Sequence, residues 1–108
     1  MAFDFGQIFK DALDAGLTAA KPGGKAAEDW IKKSAKANED ALKAIAEEFA
    51  RGGISKETAQ YLLRQSERAF KAEAAALKVI LQASAQAAIN GFFESLRTGL
   101  LAALKAVL

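Results

Sequence analysis

The segment Asn90–Leu108, NGFFESLRTGLLAALKAVL, decides the fold, because what it touches sets the number of packed helices. On a helical wheel at about 100° per residue, Phe92, Phe93, Leu96, Leu100, Leu101, Leu104, Val107 and Leu108 cover half the circumference. Glu94, Ser95, Thr98 and Lys105 gather on the other side. Arg97 sits at the edge, where its stem can follow apolar surface while its head reaches water. At about 1.5–3 kcal/mol per buried side chain, hiding this face is worth on the order of ten kcal/mol gross. Left bare, it would drive aggregation. Three coverings satisfy it: the chain's own helices, giving a four-helix bundle; another subunit or a protein partner; or a lipid interface, where it would lie as a short amphipathic helix.

Working back from this segment, Asn90-Gly91 reads as a break or kink. Before it, Ala83, Ser84, Ala85, Ala87, Ala88 and Gly91 are all small, which lets another helix approach closely, whether a neighbour in the chain or one from another subunit. A helix is predicted from about 56 to 90. Its seam runs through Leu63, Ser66, Phe70, Glu73, Leu77, Ile80, Ser84, Ala87 and Gly91. Glu73 within that seam reads as an edge residue reaching solvent or a cation, with a buried ionic contact across a helix interface as the rival.

Arg51–Ser55, RGGIS, is a helix-to-helix turn: Gly52 suits a left-handed C′ position, and Ser55 an N-cap with Glu57 in the next first turn. So short a link between two long helices predicts an antiparallel hairpin. The helix before it, about 26–51, carries Ile31, Ala35, Asn38, Leu42, Ile45 and Phe49 at coiled-coil heptad spacing, with Asn38 as a polar residue able to set register or oligomer state. Glu28–Lys32, Asp29–Lys33, Glu39–Lys43 and Glu47–Arg51 are spaced as i,i+4 ion pairs on a solvated face.

Lys21–Lys25, KPGGK, ends the first helix, since Pro22 removes a donor and disfavours helix at Lys21. It lacks the strand and the Lys-Ser/Thr pair of a phosphate loop. The first helix, about 5–20, opens with Asp4 as N-cap and Gln7 at N3, a capping-box pattern, with Phe3 and Ile8 placed for a hydrophobic staple. Phe5, Ile8, Phe9, Ala12, Leu13, Gly16 and Leu17 then form its apolar face. That face reads as core-facing, with an interfacial anchor as the rival.

The fold class is therefore all-α: one helical domain over 1–108, a long antiparallel helical hairpin with N-terminal and C-terminal amphipathic helices, as a three- or four-helix bundle. Hydrophobic residues make up 52% of the 108, and proline occurs once.

Composition narrows function more than it names it. The chain has neither histidine nor cysteine, which removes the usual zinc sites and the Ser-His and Cys-His nucleophile pairs. No catalytic residue, metal site, cofactor or small-molecule substrate is expected. A net charge of +2 from 15 basic and 13 acidic residues is too slight to imply nucleic-acid binding by itself. The longest uncharged run, Val79–Phe93, has 15 residues, short of the roughly 20 needed to span a bilayer. The first residues lack the pattern of a secretory signal, so a cytoplasmic location is the default expectation.

The leading functional expectation is a non-enzymatic interaction or assembly protein that forms a homo-oligomer or binds a protein partner. Its expected contacts are Phe92, Phe93, Leu96, Leu100, Leu101, Leu104, Val107, Leu108 and Asn38. One alternative is insertion of amphipathic helices at a membrane surface. A second is nucleic-acid binding through the Lys21–Lys36 cluster, which Glu28 and Asp29 dilute.

Overall fold

A computed structural model describes the backbone of residues 4–107 and the side chains of residues 4–102. All its regular structure is helical: α1 (Phe5–Ala20), a 3-10 turn (Lys21–Gly23), α2 (Gly24–Ala37), α3 (Glu39–Arg51), α4 (Lys56–Ala75) and α5 (Val79–Val107). The chain runs as four antiparallel columns, with α2 and α3 forming one broken column. α5 closes the bundle by packing along α1, which is the most extensive helix pairing in the molecule. With 29 residues at about 1.5 Å each, α5 spans the 44 Å long axis. An all-α bundle of four columns is thus the fold.

Local chemistry builds three of the helix ends. The Asp4 carboxylate accepts from the Gln7 backbone N–H at 3.1 Å, the expected N-cap. The Gln7 amide turns instead to the Asp11 carboxylate, at 2.9 Å, so only half of the capping box forms. The staple partner Phe3 lies outside the described residues. Gly52 takes the left-handed conformation, φ 80°. Its N–H donates to the Phe49 carbonyl and that of Gly53 to Glu48, the paired bonds of a Schellman ending. Ser55 accepts from the Thr58 N–H at 3.1 Å and starts α4.

Three boundaries depart from the sequence reading. The 26–51 helix is broken at Asn38, whose side-chain amide donates to the Ser34 carbonyl at 2.8 Å. In an unbroken helix that carbonyl would receive the Asn38 backbone N–H. That N–H goes to Ala35 instead, so the side chain displaces the backbone bond. Beyond the break the buried positions are Leu42 and Ala46, not a continuation of the heptad through Ile45.

The 56–90 helix ends at Ala75, although no glycine or proline stands there. Gln82, from the next helix, donates its amide to the carbonyls of Ala75 and Leu77 at 3.1 and 3.0 Å. A residue one turn into α5 therefore satisfies acceptors that the end of α4 leaves open. Conversely, Asn90-Gly91 does not interrupt α5. A Cβ at position 91 would stand 3.1 Å from the Ala15 carbonyl oxygen, so the glycine serves close approach of α1.

The core is aromatic at its centre. Phe92 meets Phe9 edge-on at 5.8 Å and Phe93 at 5.1 Å, while Phe70 meets Phe93 edge-on at 5.0 Å. These rings tie α1, α4 and α5 together in the tilted and edge-to-face arrangements that aromatic quadrupoles favour. Ile31 and Leu42 bring the second column onto them. Glu73 is exposed, at the edge of its stripe as expected. It reaches a hydroxyl rather than a cation: Ser34 Oγ donates to it across columns at 3.3 Å. None of the four expected i,i+4 ion pairs closes among the described residues; Arg51 pairs with Glu48.

Candidate functional site: a groove between the first and last helices

α1 and α5 lie close because each places small residues against the other. A Cβ on Gly16 would touch the Ala88 carbonyl and the Phe92 side chain, both at 3.3 Å, and one on Gly99 would meet Ile8 Cγ2 at 2.9 Å. Where two helices approach this closely with small side chains, their outward surfaces leave a shallow channel. Here it is an open groove of about 470 Å³, lined by Ile8, Asp11 and Ala15 from α1 and by Gly91, Glu94, Ser95, Thr98 and Gly99 from α5. Gly91, Ser95 and Gly99 recur every fourth residue, so they line up along one face of the helix. Asp11 and Glu94, both exposed, give the rims negative charge. The groove holds no histidine, cysteine or lysine. It offers a concave surface with acidic edges and the hydroxyls of Ser95 and Thr98.

The opposite face of α5 points inward. Phe92, Phe93, Leu96 and Leu100 are buried in the protein's own core, and Leu101 is half-buried. Leu104 and Val107 belong to α5, but their side chains, and all of Leu108, lie outside the described residues. Asn38 is half-buried and spends its amide on its own helix. The sequence-derived contact set is therefore divided: its buried members complete the core, and Asn38 stands apart from them at the joint between α2 and α3. Among the described residues, the first answer to the question posed by the C-terminal segment is the chain itself, through α1 and α4.

Arg97 does more than reach water. Its Nη1 donates to the Glu67 carboxylate on α4 at 3.0 Å, and Lys71 lies 3.8 Å from the same carboxylate. Arg97 is about one-third exposed, so this bridge orients α4 against α5 more than it stabilises them. Lys21, Lys25, Lys32, Lys33 and Lys36 are all exposed. Glu28 and Asp29 interrupt them as the sequence implied.

Two features escaped the sequence reading. Asp11 and Ile8 were placed on different faces of α1, yet both line the groove, which straddles the boundary between those faces. Ile80 was given to the seam of the 56–90 helix, yet it is 83% exposed, as is its neighbour Val79. The turn at Ala76–Lys78 resets the helical phase and carries Ile80 out of that seam. Among the described residues, no set of three or more acidic, His or Cys residues could hold a metal ion, and no helix is long and apolar enough to cross a membrane.

No protein-family model, curated protein or solved structure matches the chain. The class of the protein is accordingly stated from its own geometry: a small antiparallel helical bundle with a narrow, acid-rimmed groove along its closing helix pair.

Proposed function

We propose that this is a non-enzymatic interaction and assembly protein whose α1–α5 groove receives a basic helical segment of a protein partner. The observation that carries the reading is the groove itself, with Ala15, Gly91, Ser95 and Gly99 in its floor and Asp11 and Glu94 on its rims. Small residues at helical spacing let another helix sit close. The acidic rims favour lysine or arginine on the incoming segment and disfavour like charge. The apolar face of α5 is spent on the core, so the contact surface moves to the face that carries Glu94, Ser95 and Thr98.

The chain contains no cysteine, so Thr98→Cys supplies a unique labelling point on the rim. A fluorophore there should report binding of short helical peptides that pair alanine or serine faces with lysine flanks, with charge-reversed peptides giving no signal. Ser95→Trp, which fills the groove, should abolish that signal and leave the thermal melt in place. Equal binding of basic and acidic peptides, or binding indifferent to Ser95→Trp, would refute the reading.

A further inference from the structure

The end of the molecule carrying the α4–α5 turn bears a knob. Val79 and Ile80 open α5 with 83% of their surface in water each, adjoining exposed Lys78. One turn along the same face, Ser84 lies against the 3-10 turn between α1 and α2, where a Cβ on Gly23 would stand 2.6 Å from the Ser84 side chain. Exposed Lys21 in that turn and exposed Lys25 at the start of α2 therefore share this end with Ile80. The first acidic residues on the neighbouring segment, Glu28 and Asp29, come later in α2. The knob is convex, aliphatic and cationic; the groove between α1 and α5 is concave, floored by small residues and acidic.

We infer that the partner of the groove is a second copy of this chain, seated by its Val79-Ile80 knob. The inference rests on the groove reading above and names its occupant. Shape and charge both match: branched aliphatics fit over glycine and alanine, and Lys78, Lys21 and Lys25 meet Asp11 and Glu94. The contact is intermolecular by construction. Ile80 and Gly91 belong to one continuous helix and lie about 16 Å apart along it, so a knob cannot reach its own groove. A two-fold dimer pairing groove with groove would set acidic rims against each other. Knob into groove is instead a head-to-tail contact, which repeats without closing unless the rotation between copies forms a ring. Two aliphatic side chains and a few lysines cover less than the roughly 1,200 Å² of a standard stable interface, so assembly is weak, driven by concentration and reduced by salt.

The test is light-scattering mass across concentration for the full chain, for Ile80→Asp and for Glu94→Lys. Both substitutions fall on exposed residues and leave the core intact, which thermal melting checks. The wild-type mass should climb past that of a dimer as concentration rises, and each variant alone should weaken association at least about tenfold. An equimolar mixture should stop at a dimer, because only the knob of Glu94→Lys and the groove of Ile80→Asp remain competent. A wild-type chain that stays monomeric near about 1 mM, or variants that associate like wild type, overturns the inference. If the monomeric chain still binds basic peptides at labelled position 98, the groove reading survives and only the second copy is lost. If vesicles containing phosphatidylserine take up the monomeric chain in an Ile80-dependent way, the knob serves lipid and the inference fails.

Discussion

At Gly91 a single missing methyl decides how two helices meet. Glycine in a helix costs about 1 kcal/mol relative to alanine, and beside Asn90 it looks like a place for the helix to stop. The structure uses it otherwise: the Ala15 carbonyl comes within 3.1 Å of where a Cβ would be, and Ala19 closes on the same spot. Gly91→Leu should push α1 off α5 and lower stability by about 1–3 kcal/mol, as overpacking does, read as a fall in the urea midpoint at constant slope. A sequence alone leaves glycine ambiguous between breaking a helix and admitting a neighbour. The neighbour here, Ala15, lies 76 positions away in the chain, which is why the wrong alternative looked better. By contrast, Asp4, Gly52 and Ser55 were readable because a cap binds groups within a few residues of itself.

Among the elements, the joints show the same division between local and distant causes. The hairpin between α3 and α4 carries its own instructions in two glycines and a serine, and it forms as read. The end of α4 carries none, and is completed by Gln82 from the helix that follows. Gln82→Ala should therefore leave the carbonyls of Ala75 and Leu77 to water and cost about 1 kcal/mol, with faster amide exchange around the 76–81 turn as the local readout. The run of small residues from Ala83 to Gly91 was visible in the sequence, but it read as a close-packing stretch of one helix over about 56–90, and nothing local marked the turn that precedes it. Asn38 was recognised as unusual for the right reason, its polarity within an apolar seam. Its amide then captured a carbonyl of its own helix instead of a partner across an interface, and the heptad pattern ended there. The groove was half legible for a related reason. The wheel of α5 placed Glu94, Ser95 and Thr98 together away from the apolar face, but nothing in that segment shows that Ile8, Asp11 and Ala15 form the facing wall.

Over the whole molecule, α5 works on two sides. Inward, it supplies Phe92, Phe93, Leu96 and Leu100 to the core; outward, it supplies one wall of the groove, and its first turn forms the knob. This division explains how so apolar a segment can belong to a small bundle and still present a polar outward face. It also makes the bundle dependent on α5. Removing one buried phenylalanine side chain typically costs about 3–5 kcal/mol, against a total stability of about 5–15 kcal/mol for a domain. The most direct measurement is the thermal unfolding of a chain truncated after Asn90, followed by circular dichroism beside the full chain. Truncation should abolish the cooperative transition, because α1 and α4 lose the side chains that join them. A truncated chain that still unfolds cooperatively, within a few degrees of the full chain, would show that α5 does not complete the core, and the inward role assigned to it would be wrong.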